Sequence, residues 1–396
     1  MKKTHLALAL AVAAPVAFAA PSTEDMWNTI QQQQLEIERL KAQAAQTDAK
    51  VEATASAFES SNSGDWMSRT SIGGYGEHHF NHFEDKDDEV DAHRFVLFVG
   101  HQFSDTLRFF SELEVEHGLV EDTADGSGPG ELELEQALIQ WDFAANHSLT
   151  LGQFLIPVGI LNETHEPDTF YGTERNNVEA QIVPATWWET GAMVGGEILP
   201  GLSYNVAVHS GLKTPVTGSS TLLVRSGRQK SAKATAEDLA FTGRLKYTGI
   251  AGLELATTYQ QQQDVTQGGI PGEDTAGSLW EAHARYTIAG LTLTALAAEW
   301  DIDGATAKAL GRDQQKGAYV EASYKITPKL GIFVRQSEWD NNAGSSADTE
   351  VEQLDVGINY WLHERVVLKA DIVNHKPPST TSSDNDGFNL GLGWSF

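Results

Sequence analysis

The chain has 396 residues, with 27 Lys and Arg against 55 Asp and Glu, a formal net charge of -28 and no cysteine. So acidic a surface repels nucleic-acid phosphates, and without cysteine there is no disulfide framework. Beyond the N-terminus no run approaches the ~18 apolar residues of a membrane helix, a test that alternating barrel strands escape.

The chain opens with Lys2 and Lys3, an apolar run from Leu6 to Phe18, and the small-x-small triplet Ala17-Phe18-Ala19. This is the layout of a secretory signal peptide over residues 1–19, cut after Ala19. There is no lipobox cysteine, so a lipoprotein anchor is not expected. Residues 20–65 are of another kind, with no glycine before Gly64. Ile30, Gln33, Ile37, Leu40, Ala44, Thr47 and Val51 fall on alternating steps of three and four, an a/d seam. The expectation is a periplasmic helical, coiled-coil segment rather than a disordered leader. Ser56 to Asp65 then reads as a linker.

From Trp66 the hydrophobic period becomes two. The alternation predicts sixteen strands at about 68–83, 91–103, 107–117, 131–143, 147–155, 186–199, 202–213, 238–248, 251–262, 277–288, 291–301, 316–327, 330–339, 350–362, 365–375 and 386–396. Short turns such as Ser104-Asp105-Thr106, Pro200-Gly201 and Ala289-Gly290 alternate with long connections near 84–90, 118–130, 156–185, 214–237, 263–276, 302–315, 340–349 and 376–385. An even strand count with short turns at one end and long outer loops at the other predicts an all-β, 16-stranded antiparallel transmembrane barrel over 66–396.

The strand faces point the same way. Phe388, Leu390, Leu392, Trp394 and Phe396 share one face of the last strand, while Gly387, Asn389, Gly391, Gly393 and Ser395 share the other. Leu354, Val356, Ile358 and Tyr360 likewise oppose Gln353, Asp355, Gly357 and Asn359. A bare charge at the bilayer midplane costs ~2–4 kcal/mol, so the charged face needs an aqueous lumen. The expected basic lumen residues are Arg94, Arg108, Arg244, Lys246, Arg285, Lys325, Arg335 and Lys369. Glu112, Glu114, Glu116, Glu131, Glu133 and Glu135 form an expected acidic patch across two neighbouring strands. Trp394 is placed in the interfacial girdle, and the terminal Phe396 resembles the signal read by the outer-membrane insertion machinery.

Ile72-Gly73-Gly74-Tyr75-Gly76-Glu77, His93-Arg94-Phe95-Val96-Leu97-Phe98, Leu107 to Glu114, Gly152 to Gly159 and Trp187-Trp188-Glu189-Thr190-Gly191 together resemble the phosphate-selective porin O and P group in its broad sense. The match is strongest over about residues 66–213. The resemblance implies a sixteen-stranded homotrimeric channel with one loop folded into the pore. Leu161 to Ala185 suits that role, carrying Glu163, His165, Glu166, Asp168, Tyr171, Glu174, Arg175 and Glu179. Phosphate selection, however, needs a dense ladder of Arg and Lys, and acidic residues lie beside the basic ones here.

Other sites are set aside. His78, His79, His82, Asp85, Asp87, Asp88, Glu89, Asp91 and His93 crowd the first long loop, but their spacing fits no closed metal site, and no metal or other cofactor is expected. There is no Gly-x-Ser-x-Gly elbow, phosphate loop or His-Glu-x-x-His, so no enzyme is expected. The expected function is passive diffusion of small hydrophilic solutes across the bacterial outer membrane, with a specific anion channel or a structural and adhesive protein as alternatives. The expected partners are outer-membrane lipid and lipopolysaccharide, the insertion machinery and two further copies of the chain, with no nucleic acid.

Overall fold

The computed structural model describes residues 66–120, 130–378 and 385–396. The signal peptide and the seam over 20–65 lie outside them. Arg69–Phe396 is one compact unit. Its strands are β1 (Thr70–Phe83), β2 (Glu89–Ser104), β3 (Leu107–Glu116), β4 (Leu132–Ala144), β5 (His147–Leu155), β6 (Trp188–Leu199), β7 (Leu202–His209) and β8 (Ala240–Tyr247). They continue as β9 (Leu253–Gln262), β10 (Gly277–Ile288), β11 (Leu291–Ile302), β12 (Gln314–Thr327), β13 (Leu330–Asp340), β14 (Val351–His363), β15 (Val366–Lys376) and β16 (Gly387–Ser395). Each pairs antiparallel with its sequence neighbours, and β16 returns to β1, so the sheet closes as a 16-stranded barrel. Closure leaves no unpaired edge, which a membrane wall demands.

The alternation arises because large apolar and small or polar residues occupy opposite faces. On β15, Ile372 is 66 % exposed on the outer face while Asp371 is 5 % exposed on the lumen face. Val320, Val356, Phe388 and Leu390 extend the outer apolar band around the barrel.

Closure is sealed at the chain end. The Gly74 N–H donates to the Phe396 carbonyl at 3.1 Å, and the Phe396 N–H donates to the Gly74 carbonyl at 2.8 Å. A Cβ on Gly74 would lie 2.1 Å from the Val96 carbonyl oxygen, so only glycine fits this seam. Gly74→Val, or deletion of Phe396, is therefore expected to cut the folded fraction severalfold, read as loss of the unboiled, fast-migrating gel species. An unchanged folded fraction would show that the seam is dispensable.

Two expectations need correction. β7 was expected to reach residue 213 but ends at His209. There the chain turns inward, because Gln262 both accepts from the Leu212 N–H and donates to its carbonyl, each at 2.8 Å. The connections near 214–237 and 263–276, expected outside, also pack inward: Leu222, Val224 and Val265 have no exposure. They join Phe154, Ile156, Val178, Ile182, Trp187, Leu279 and Trp300 in one apolar core inside the barrel. Burying such side chains is worth about 1.5–3 kcal/mol each, more than leaving them on a solvated loop. Part of the lumen is thus filled by an apolar core, with inward polar side chains such as Thr258, Gln260, Glu281 and His283 on the same stretch of wall.

Candidate functional site

The connection between β5 and β6 folds into the lumen and crosses it. Its neck is held by Asn162, whose amide donates to the Ile156 and Trp187 carbonyls at 2.7 and 3.0 Å and whose oxygen accepts from the Trp187 N–H at 2.6 Å. One turn of helix, α1 (Asn177–Gln181), is capped by Asn176, whose side chain accepts from the Val178 N–H at 2.7 Å. Glu179 on α1 is fully buried and accepts from the Ile160 and Leu161 N–H groups and the Tyr319 hydroxyl. Burial pushes its carboxyl above the usual range, against the pull of these donors.

The far end of the loop hangs on the opposite wall. Lys369 donates to the Gly172 carbonyl at 2.8 Å, Asn359 to the Phe170 carbonyl at 3.1 Å, and Asp371 accepts from the Thr173 N–H at 2.7 Å. Arg335 pairs with Asp355 at 3.0 Å and with Glu321 at 3.3 Å and also reaches the Tyr171 carbonyl. Arg94, fully enclosed, donates to Glu77 at 2.5 Å and to the His165 carbonyl at 2.6 Å. Arg94, Arg335 and Lys369 thus stand on the lumen face, but their charges hold the loop rather than face open water.

The other residues named from the sequence fall into three groups. Glu163 pairs with Arg244, His165 approaches Glu112 and Glu135, and Asp168 accepts from the Ser395 hydroxyl at 2.8 Å, so these join loop to wall. Arg175 meets the Thr186 hydroxyl at 3.1 Å, and Glu166 is half-buried on the loop, its carbonyl accepting from Thr169. The second group is remote: Arg108 pairs with Asp142 at 2.6 Å, Lys246 lines a cavity of about 950 Å³ and Lys325 lies 4.3 Å from the Trp361 ring, all toward the short-turn end. Arg285 is the third case, lining a cavity of about 170 Å³ with Tyr171, Glu321 and Arg335.

On the acidic wall, Glu114 faces Glu133 in register, but the ladder slips between Glu112 and Leu113. Glu112 opposes Gln136 and Leu113 opposes Leu134, leaving Glu135 as an extra residue. This bulge turns Glu135 and Gln136 both inward. Glu131 and Glu133 are held by Lys230, whose ammonium burial disfavours but the two carboxylates lift above its ordinary range.

Basic residues absent from the expectation face this wall. Arg225 donates to the Ala180 and Ala185 carbonyls, and Arg228 to the Thr186 carbonyl at 2.5 Å. Burial, then the nearby Arg228 and Arg175, bring Arg225 below the usual guanidinium range. A guanidinium keeps its proton in proteins, so the crowding favours a nearby anion. A cavity of about 510 Å³ on the long-loop side of the inward loop is lined by both signs, including Glu116, Glu174, Arg175, Arg225 and Lys86. The sequence signal for the inward basic segment was the triplet Leu222-Leu223-Val224 just before Arg225.

The first-loop histidines are divided by the strand faces. His79 and His93 turn inward and stack with ring centroids 4.3 Å apart, and His79 also meets Glu174 at 2.9 Å. His82 pairs with Asp88 at 2.6 Å in an exposed position.

Comparison with known proteins agrees with this geometry. A family model described as Gram-negative porin matches residues 201–376. A protein of Aquifex aeolicus (strain VF5), described only as uncharacterized, is 30 % identical over 369 residues, covering 82 % of this chain and 80 % of its own. An anion-selective porin from Comamonas acidovorans shares the fold with a TM-score of 0.59 at 12 % identity, over 83 % of this chain and 99 % of that one. The trimer form of OmpT, an outer membrane protein of Vibrio cholerae, gives 0.55 at 11 % identity over 83 % and 99 %.

Proposed function

We propose that in this chain, a passive-diffusion channel of the outer membrane whose residues 201–376 match the Gram-negative porin model, the inward loop forms a weakly selective constriction for small hydrophilic solutes and ions. One observation carries the reading: the loop is fastened to both walls, yet the cavity above it is lined by opposite charges. Glu116 and Glu174 stand on the acidic side of this cavity, and Arg175 and Arg225 on the basic side. Such a pair of walls orients dipolar solutes without binding them tightly. Proteoliposomes are expected to swell in neutral mono- and disaccharides, with rates falling steeply with solute size. Absence of swelling would instead favour a structural role built on the 20–65 segment.

The three crowded arginines favour a second reading, an anion channel of the phosphate-selective kind. Millimolar phosphate should then block chloride conductance, and the reversal potential in a KCl gradient should show anion preference. Cation preference would remove this reading.

The same proposal covers assembly. The chain carries a cleaved signal peptide, both ends of the barrel lie on the periplasmic side, and its C-terminal strand engages the insertion machinery. The apolar outer band meets lipid, and the acidic long loops meet lipopolysaccharide through divalent cations. The trimer form of the Vibrio cholerae barrel supports a homotrimer.

A further inference from the structure

We infer that Glu112, Glu135 and His165 form a binding site for one divalent transition-metal ion of the zinc class, which ties the inward loop to the barrel wall. The three side chains come from β3, the β4 bulge and the loop, and they are 2, 1 and 3 % exposed. His165 Nε2 lies 3.6 Å from Glu112 Oε1 and 3.5 Å from Glu135 Oε2. These distances exceed the ~2.7–3.2 Å of a hydrogen bond. They match the roughly 3.4 Å edge of a tetrahedron around an ion with bonds of about 2.1 Å.

The unpartnered atoms point at the same spot. Glu135 Oε2 and both ring nitrogens of His165 have no hydrogen-bond partner, nor does either carboxylate oxygen of the fully buried Glu114 beside them. Glu114, Glu133 and Glu135 bring carboxylate oxygens within 4.8 Å of one another. Buried polar atoms are rarely left so, because each costs about 1–3 kcal/mol unmatched. Nor do hydrogen bonds from the arginines nearby answer them: Arg94 is committed to Glu77, the Tyr75 hydroxyl and the His165 carbonyl, and Arg175 donates to the Thr186 hydroxyl.

The other ligand oxygens are already oriented. Gln136 donates to Glu112 Oε2 at 2.6 Å and the Thr186 hydroxyl to Glu135 Oε1 at 3.1 Å, while the Tyr75 hydroxyl reaches the facing oxygen, Glu112 Oε1, at 3.3 Å. Outer partners of this kind fix ligands for a metal. The bulge matters twice, since it turns in both Glu135 as ligand and Gln136 as the group that aims Glu112. An imidazole with carboxylates selects a zinc-class ion, whereas calcium takes six to eight oxygens and magnesium keeps an octahedral shell with several waters.

The test uses the full-length purified porin in detergent, stripped with chelator, equilibrated with Zn²⁺ and desalted. One retained zinc per chain is expected, undisplaced by excess Mg²⁺ or Ca²⁺, and Co²⁺ in its place should give the intense visible bands of a tetrahedral site. His165→Gln and Glu135→Gln should lose the ion while keeping the unboiled gel mobility of the folded barrel. Gln136→Ala, which keeps all three ligands, should weaken binding by roughly 10–100-fold. His82→Gln, at the exposed first loop, should leave the stoichiometry at one. Three results would overturn the site: no zinc retained by the parent chain, equal zinc in His165→Gln, or loss of zinc in His82→Gln. A parent that takes up no metal would leave a proton shared by Glu114 and Glu135 as the account of the unpartnered oxygens.

Discussion

Replacing Glu179 with alanine is expected to raise single-channel conductance and make the open current noisy while the barrel stays folded. Glu179 Oε2 accepts from the Ile160 and Leu161 N–H groups at 2.8 and 2.6 Å, and Oε1 accepts from the Tyr319 hydroxyl at 2.8 Å. Alanine leaves these three donors without that acceptor in a dry environment. At about 1–3 kcal/mol for each buried unsatisfied group, the loop neck would lose roughly 3–9 kcal/mol. The backbone is shaped for this carboxylate: Gly159 has φ of +69°, and a Cβ there would sit 2.8 Å from Glu179 Oε2. The ladder of sixteen paired strands does not pass through Glu179, so unfolding should remain local. In a planar bilayer with molar KCl, conductance should rise by about half to twofold as the loop leaves the lumen part of the time. Glu179→Gln, which retains an acceptor oxygen, should lie between. A quiet E179A channel of parental conductance would mean that the loop is held elsewhere.

Neutralising Arg175, Arg225 and Arg228 together as glutamines is expected to move the reversal potential in a KCl gradient toward potassium. With the arginines gone, the cavity carboxylates, Glu116 and Glu174 among them, outweigh the remaining Lys86. The permeability ratio should rise severalfold at 0.1 M salt, where the Debye length is about 10 Å, and shrink at 1 M, where it is about 3 Å. Glu116→Gln with Glu133→Gln should shift the potential the other way. A potential indifferent to both sets would place the ionic path elsewhere.

The barrel was legible because its physics is local. A strand with Phe388, Leu390, Leu392, Trp394 and Phe396 on one face needs an apolar neighbour on that side alone, and alternation reports this without any knowledge of partners. The inward crossing of residues 161–185 was legible by resemblance and by its load of charges. What escaped was everything set by pairing. The bulge at Glu135 is fixed by the β3–β4 register, and its only trace within β4 is a phase slip of the outward apolar residues, from Leu132 and Leu134 to Trp141 and Phe143. The site was therefore anticipated as a patch of six glutamates rather than as two carboxylates meeting a loop histidine. Arg335 and Lys369 were expected on the lumen side, and their bonds to loop carbonyls depend on where residues 171 and 172 come to rest. The inward turn of 214–237 left a trace in Leu222-Leu223-Val224, which a polarity average over a long loop hides. Arg225 and Arg228 were lost with it.

The apolar core beside β5–β13 has an electrical consequence. Val224 and Ile182 are fully buried next to the arginines that face the acidic wall, so ions travel past material of low permittivity rather than through a uniform tube of water. Field lines from Arg225 and Glu116 cannot spread into that side and are focused across the wet strip. At an effective dielectric of about 20 rather than 80, two charges attract roughly four times as strongly as in bulk water. A few side chains can therefore polarise a passage whose residues are, by simple count, of mixed sign. An apolar core of leucine, valine and tryptophan inside a barrel is in this sense a way of amplifying charge.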